Sequence, residues 1–432
     1  MSDLIVKPSR GLHGEIVLPG DKSISHRSVL FAAVAEGKTA INGFLAGEDT
    51  LNTAKAVQAM GIAVDGLGTS CLMVHGKGLD GLTEPSGVLD LGNSGTGMRL
   101  IAGLLAGQDF FSVLTGDQYL RRRPMARIVE PLRRMGAVID GRSGGNLAPL
   151  AIRGSGRKTR AIEFTSPIAS AQVKSALLLA GLYADGETTV NEPSKSRDHT
   201  ERMLRFFGVD VKEQGTRVAL NGRQALRPKG LIDIPSDISS AAFFMVAACI
   251  VPKSDLTIKN VGVNPTRTGV IDVLTAMGAD ITLENPHEQA GEPVADIRVR
   301  YRKLRAAKIA GETIPRAIDE IPVLSVAASF AAGTTVIQDA SELRVKESDR
   351  IATMAAELRK LGVVVQELPD GMKITGNDSL DGAVCESHGD HRVAMSMAVA
   401  GLAARGETVI RDTAWVDTSF PGFERLLRQA AY

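Results

Sequence analysis

The chain has 432 residues, enough for two domains of roughly 200 residues each. A net charge of +1 and only 4% aromatic residues argue against a broad nucleic-acid surface or a base-stacking platform, so any anion binding must come from local clusters. No apolar run reaches the ~18–20 residues of a membrane span. The start, Met1-Ser2-Asp3-Leu4, has neither a basic region nor an apolar stretch, so no export signal is expected. Cys71, Cys249 and Cys385 are widely spaced and contain no CxxC pair, and the seven histidines lack metal-ligand spacing. A reducing, cytoplasmic setting without disulfide or zinc is the expectation.

Read along the chain, two kinds of segment alternate with a period of about seventy residues. The first is an Ala-rich helix ending near Gly and followed by a short apolar strand, as in Ser23–Phe44 and Asp390–Arg411. Similar segments begin near Ser94, Ala169, Asp237 and Asp319. The second is an amphipathic helix closing on Gly before a strand: Leu51–Asp65, Met125–Asp140, Thr200–Lys212, Gly269–Leu283, Asp349–Gln366 and the shorter Phe423–Ala431. Met125, Ile128, Val129, Leu132 and Met135 recur at helical spacing, Pro124 suits a first turn and Gly136 a stop. The strands are short and rich in Val, Ile and Thr. The expectation is a mixed α/β protein of six repeats, each with two helices and several strands.

Leu18-Pro19-Gly20-Asp21 and Ile234-Pro235-Ser236-Asp237 are alike and suit hinge crossings. Repeats one to three would then form a domain over 21–236. Residues 1–20 would join 237–432 in a discontinuous second domain. Two consecutive domains without a crossing fit the same pattern.

The Ala-rich helices start with unusual chemistry. Helix N-termini favour acidic caps, and Asp21, Asp237, Asp319 and Asp390 meet that preference. Yet Lys22 and Arg27, Arg121-Arg122-Arg123, and His391-Arg392 place cations at such ends. Lys346 and Arg350 stand four apart, a spacing at which like charges cost a helix about 0.2–0.5 kcal/mol. One such cation reads as a solvated surface charge. Four clusters at corresponding places in repeats read as helix ends converging on a small, strongly anionic ligand. Asn93-Ser94-Gly95-Thr96-Gly97-Met98-Arg99 adds a Gly-rich helix entry, although no GK[ST] follows it. Asp319 reads as an N-cap or as an acid–base group, and Glu347 as an ion-pair partner or a proton donor.

Eight ordered motifs then resemble one family. PGDKSISHR (Pro19–Arg27), LGNSGTGMRL (Leu91–Leu100), RRRPM (Arg121–Met125), SAQVKSALLLAGL (Ser170–Leu182), SRDHTERML (Ser196–Leu204), IDEIPVL (Ile318–Leu324), RVKESDRI (Arg344–Ile351) and DHRVAMS (Asp390–Ser396) are similar to those of the 5-enolpyruvylshikimate-3-phosphate synthases. They look closest to the branch with naturally glyphosate-insensitive members. The resemblance implies a two-domain, inside-out α/β barrel-like fold with three βαβαββ repeats per domain and helix N-termini facing a cleft. It implies enolpyruvyl transfer from phosphoenolpyruvate to the 5-hydroxyl of 3-phosphoshikimate, with release of phosphate. It also implies that no metal or organic cofactor, membrane or nucleic acid takes part, and that the protein is a monomer.

By the same resemblance, Lys22, Ser23, Arg27, Ser170, Gln172, Arg197, Asp319 and Lys346 hold 3-phosphoshikimate. Lys22, Gly95, Arg123, Gln172, Arg350 and Arg392 hold phosphoenolpyruvate. Asp319 is the implied proton acceptor and Glu347 the proton donor, Lys22 is a third catalytic residue that also reaches phosphoenolpyruvate, and Lys346 lies between the two ligands. Asp417 stands where relatives often carry Lys, and Gly97 where they often carry Ala. A related enzyme that uses UDP-N-acetylglucosamine typically has Asn after the lysine and a loop cysteine. Here Ser23 follows Lys22, and Thr115–Met125 contains no cysteine. A non-catalytic anion binder on the same fold would have no need of Asp319 and Glu347.

Overall fold

The structure, a computed structural model, describes residues 3–228 and 230–432. All twelve expected helices are present. The Ala-rich set is Lys22–Ala33, Gly95–Ala106, Ala171–Gly181, Ile238–Ile250, Ile321–Ser329 and His391–Ala403. The amphipathic set is Glu48–Ala59, Ala126–Arg134, His199–Phe206, Gly269–Ala276, Arg350–Lys360 and Phe423–Ala431. Two short helices, Arg142–Gly145 and Thr313–Ala317, have no counterpart in the repeat pattern.

The two sets differ in burial as they differ in sequence. Every residue of Ile238–Ile250 and of Ile321–Ser329 is buried, as expected of helices that are apolar on all faces. Phe423–Ala431 instead buries Phe423, Leu426, Leu427, Ala430 and Ala431, a single stripe. Met125, Ile128, Val129, Leu132 and Met135 are all buried, and Gly136 ends that segment at a φ of 111°, open to glycine. Pro124 lies just outside the helix, which begins at Ala126.

Among the described residues there are five four-stranded sheets and one three-stranded sheet. The four-stranded sheets share one order, seen in the third repeat. Glu163–Thr165 pairs parallel with Glu187–Asn191, which pairs antiparallel with Arg217–Asn221 and through it with Val211–Gln214. Some strands come from far along the chain. Ile232–Asp233 pairs parallel with Glu36–Asn42, and His13–Val17 with Asp255–Gly262. Leu4–Val6 runs antiparallel to Thr408–Arg411, whose other edge holds Val384–Glu386.

The chain forms two compact units. One comprises the chain up to Pro19, Pro235–Glu288 and Pro293–Tyr432; the other is Gly20–Ile234 with Gln289–Glu292. Each has its own apolar core. Within the second unit, Gly103 carries a close helix contact. A Cβ there would lie 2.3 Å from the Ala176 carbonyl oxygen and 2.6 Å from its Cα. Backbone cannot retreat as a side-chain tip can. Gly103→Ala should therefore destabilise the protein by about 1–3 kcal/mol, read as a lower urea midpoint at an unchanged slope.

Candidate active site: two clusters of cations and carboxylates

The Ala-rich helices begin at capped ends. Asp21 accepts from the Ile24 N–H at 2.8 Å, Ser94 from Gly97 at 3.0 Å and Ser170 from Val173 at 3.4 Å. Asp237 accepts from Ser239 at 2.7 Å and Asp390 from Arg392 at 2.9 Å. The exception is Ile321–Ser329. Its N-cap position is Glu320, which makes no side-chain cap bond among the described residues, so Asp319 is not the cap its sequence position suggested. The amphipathic helices differ: among the described residues, only Asp349 caps its helix through a side chain, accepting from Ile351 and Ala352.

In the unit containing 20–234, Lys22 pairs with Asp49. One turn on, Arg27 is buried and committed to protein. Its Nε donates to Thr200 Oγ1 at 2.7 Å, Nη1 to the Ser23 carbonyl at 2.9 Å and Nη2 to Ser175 Oγ at 2.7 Å. Burial, with a smaller effect of the nearby Arg197 charge, lowers the Arg27 pKa to about 10, although Glu201 and Asp21 oppose the shift.

Gly95 opens its helix under Arg123. A Cβ at 95 would meet Arg123 Nη1 at 2.7 Å and Arg99 Nη1 at 3.1 Å. Gln172 joins the same group, accepting from Arg99 Nη1 at 2.6 Å and donating to Thr96 Oγ1 at 2.9 Å. Arg99 also donates to the Pro124 carbonyl at 3.0 Å, so it links Gln172 to the Arg123 segment. It stands inside a quoted motif, but nothing in its spacing marked it out. Arg121 and Arg122 are exposed, and of that triplet only Arg123 turns toward Gly95.

In the other unit, Asp319, Lys346, Glu347, Arg350 and Arg392 come together. Arg350 is 1% exposed. Its Nε donates to Asp390 Oδ2 at 2.8 Å, Nη2 to Glu347 Oε2 at 2.6 Å, and Nη1 lies 3.5 Å from Asp319 Oδ1. Lys346 Nζ is 3.6 Å from the same Asp319 oxygen. Arg392 Nη1 donates to the Asp319 carbonyl at 2.8 Å. Lys346 precedes the helix, which starts at Arg350, so the like-charge cost expected within a helical turn does not arise. Both cations face one carboxylate instead.

Buried Glu320 bonds the Ser239 hydroxyl and lies 3.8 Å from Arg267 and 3.9 Å from Arg392. Asp417 accepts from the Gly422 N–H at 3.4 Å, the chain-local role of a turn residue.

The cations of this cluster are matched by carboxylates, and two pairings were not legible in the sequence: Asp390 with Arg350, and Glu320 with Arg267 and Arg392. Burial alone would lower the Arg350 pKa, but Asp390, Glu347 and Asp319 outweigh it and hold the guanidinium charged. Burial alone would raise that of Asp390, and Arg350 reverses the effect. Among the described residues no group of His, Cys, Asp and Glu could hold a metal ion, and no helix is long and apolar enough to cross a membrane.

The sequence profile of the family described as EPSP synthase (3-phosphoshikimate 1-carboxyvinyltransferase) matches residues 6–427. The 3-phosphoshikimate 1-carboxyvinyltransferase of Geobacter sp. (strain M21) is 59% identical over 427 residues, covering 99% of each chain. That of Pelotomaculum thermopropionicum is 58% identical over 426 residues and covers 98% of each. Among solved structures, EPSP synthase from Acinetobacter baumannii is 47% identical, with a TM-score of 0.90 over 99% of this chain and 98% of its own. The enolpyruvyl transferase NikO from Streptomyces tendae is 17% identical and shares the fold, with a TM-score of 0.78.

His26, beside Lys22 and Arg27, yields a pH prediction. Its Nδ1 shares a 2.8 Å hydrogen bond with Thr53, and Nε2 is buried with no partner among the described residues. Burial first, then Lys22 and Arg27, hold its pKa well below 6.5. The folded protein keeps it neutral while the unfolded chain protonates near pH 6.5. Its contribution is thus full above about pH 6.5 and is lost as pH falls toward the folded pKa, by at most about 1.4 kcal/mol per unit. Urea midpoints between about pH 7.5 and 5.5 should fall more steeply in the natural protein than in His26→Gln.

Proposed function

The chain belongs to the EPSP synthase family and transfers the 1-carboxyvinyl group of phosphoenolpyruvate to the 5-hydroxyl of 3-phosphoshikimate, and we propose the following roles for its residues. The observation that carries the reading is the Asp319 carboxylate, 3.6 Å from Lys346 and 3.5 Å from Arg350. A carboxylate held between two cations is a candidate proton acceptor.

Lys22, Ser23, Arg27, Ser170, Gln172, Arg197 and Lys346 hold 3-phosphoshikimate, with Asp319 beside its 5-hydroxyl. Lys22, Gly95, Arg123, Gln172, Arg350 and Arg392 hold phosphoenolpyruvate. Support comes from the capped helix starts at Asp21, Ser94, Ser170 and Asp390, at or beside which Lys22, Ser23, Gly95, Ser170, Gln172 and Arg392 stand. Both residue sets are required for the one reaction.

In the addition step the 5-oxygen bonds to C2 of phosphoenolpyruvate. Asp319 takes the hydroxyl proton and Glu347 gives a proton to C3, which becomes a methyl group. In the elimination step the C2–O bond to phosphate breaks. Glu347 takes a proton back from the methyl, the double bond reforms, and Asp319 returns its proton to the departing phosphate. Protons balance over the cycle.

Arg350 Nη2 lies 2.6 Å from Glu347 Oε2, so the proposed proton donor and a proposed phosphoenolpyruvate contact are bonded to each other. Three free cysteines, two of them buried, support a reducing, cytoplasmic setting.

Asp319→Asn should lower kcat for phosphate release by about 10²–10⁴-fold while 3-phosphoshikimate still binds. Wild-type turnover in that variant would remove Asp319 from the role. Glu347→Gln should suppress deuterium incorporation at C3 when the reaction runs in heavy water. Undiminished incorporation would assign that proton to another group.

A further inference from the structure

In the unit containing 20–234, three charges are buried together without a role in the chemistry above. Lys174 is 1% exposed, Glu192 1% and Glu201 0%. Lys174 Nζ lies 2.8 Å from Glu192 Oε2 and 2.7 Å from Glu201 Oε1. Burial raises the proton affinity of Glu201, and Lys174 opposes that shift.

Such a group adds little net stability, because desolvating the ions costs about what their attraction returns. Its hydrogen bonds give it another use. Glu192 Oε1 accepts from the Ser170 N–H at 3.1 Å, and Oε2 from the Ser196 N–H at 3.4 Å. Lys174 closes the loop with a 3.5 Å contact to the Ser196 carbonyl. Ser170 caps the helix Ala171–Gly181, and Ser196 directly precedes Arg197. Ser175, one residue after Lys174, and Thr200, one before Glu201, receive Arg27. One buried network thus joins three segments, each with a proposed 3-phosphoshikimate contact.

We infer that Glu192, held by Lys174, is a positioning residue for 3-phosphoshikimate: its carboxylate ties the Ser170 backbone to the Ser196 backbone and fixes the spacing of the groups on either side. The inference rests on the roles proposed for Ser170 and Arg197. Glutamine at 192 keeps the shape but replaces one acceptor by a donor, which would face an N–H or the Lys174 ammonium. Aspartate keeps the charge but is one methylene too short to bridge both amides.

Steady-state kinetics test it. Glu192→Gln should raise the KM for 3-phosphoshikimate by about tenfold or more, with kcat and the KM for phosphoenolpyruvate within about threefold. Glu192→Asp, the variant to read if the amide fails to fold, should show the same split at smaller size. A folded variant with an unchanged KM for 3-phosphoshikimate would overturn the inference. So would a proportional loss in all three parameters, the mark of a merely structural role. Ser170→Ala and Arg197→Ala are measured alongside. If neither changes that KM, the proposed contacts fail, and the inference with them, whatever Glu192→Gln shows.

Discussion

The first turn of an α-helix presents N–H groups that the helix cannot satisfy itself. In this protein the constraint is sharpened by burial, because helices such as Ile238–Ile250 and Ile321–Ser329 are buried along their whole length. Polar chemistry can enter them only at an end. Among the described residues five of the six Ala-rich helices answer with a side-chain cap, and Lys22, Ser23, Gly95, Ser170, Gln172 and Arg392 of the proposed substrate contacts stand on or beside those caps. The fold therefore prepares anion-binding ends as a by-product of building its cores, and lysine and arginine adapt those ends to particular ligands.

Positive charge gathered at such ends brings its own difficulty. Arg350 is almost wholly buried and could not stay there without compensation. Asp390, Glu347 and Asp319 supply it. Two of these three are also the groups proposed to move protons. The counter-ions that make the guanidinium tolerable are thus well placed to sense whatever else binds it. Electrostatic compensation and acid–base function are served by the same atoms, so neither can be altered without disturbing the other.

The repeat and both helix types were legible because they rest on local features: apolar spacing, Gly stops and runs of β-branched residues. Met125 through Met135 is the clearest case, with every spaced position buried. The site was legible as motifs but only partly as geometry. Asp319 in the string Asp-Glu-Ile-Pro has the local signature of a cap, and its actual direction is set by Lys346 and Arg350, 27 and 31 residues away. Lys346 and Arg350 looked like one helical face because the helix start at Arg350 depends on the Asp349 cap. Arg99, Glu320 and Lys174 carried no local signal at all. Each lies within a motif already attributed to something else, and its partners come from segments that sequence spacing does not bring near.

The pairing of Leu4–Val6 with Thr408–Arg411, and of His13–Val17 with Asp255–Gly262, bears on how the protein is made. Synthesis runs from the amino end, at about 5–20 residues per second. The strand at 13–17 leaves the ribosome some 240 residues before its neighbour, and the strand at 4–6 some 400 before its own. Meanwhile Gly20–Ile234 has nearly all of its own contacts within reach. These two strands are made long before their partners, and until those arrive each waits as an unpartnered strand edge. His13, Gly14 and Glu15, all exposed in a five-residue strand, suit that long wait, since short polar strands resist unwanted association.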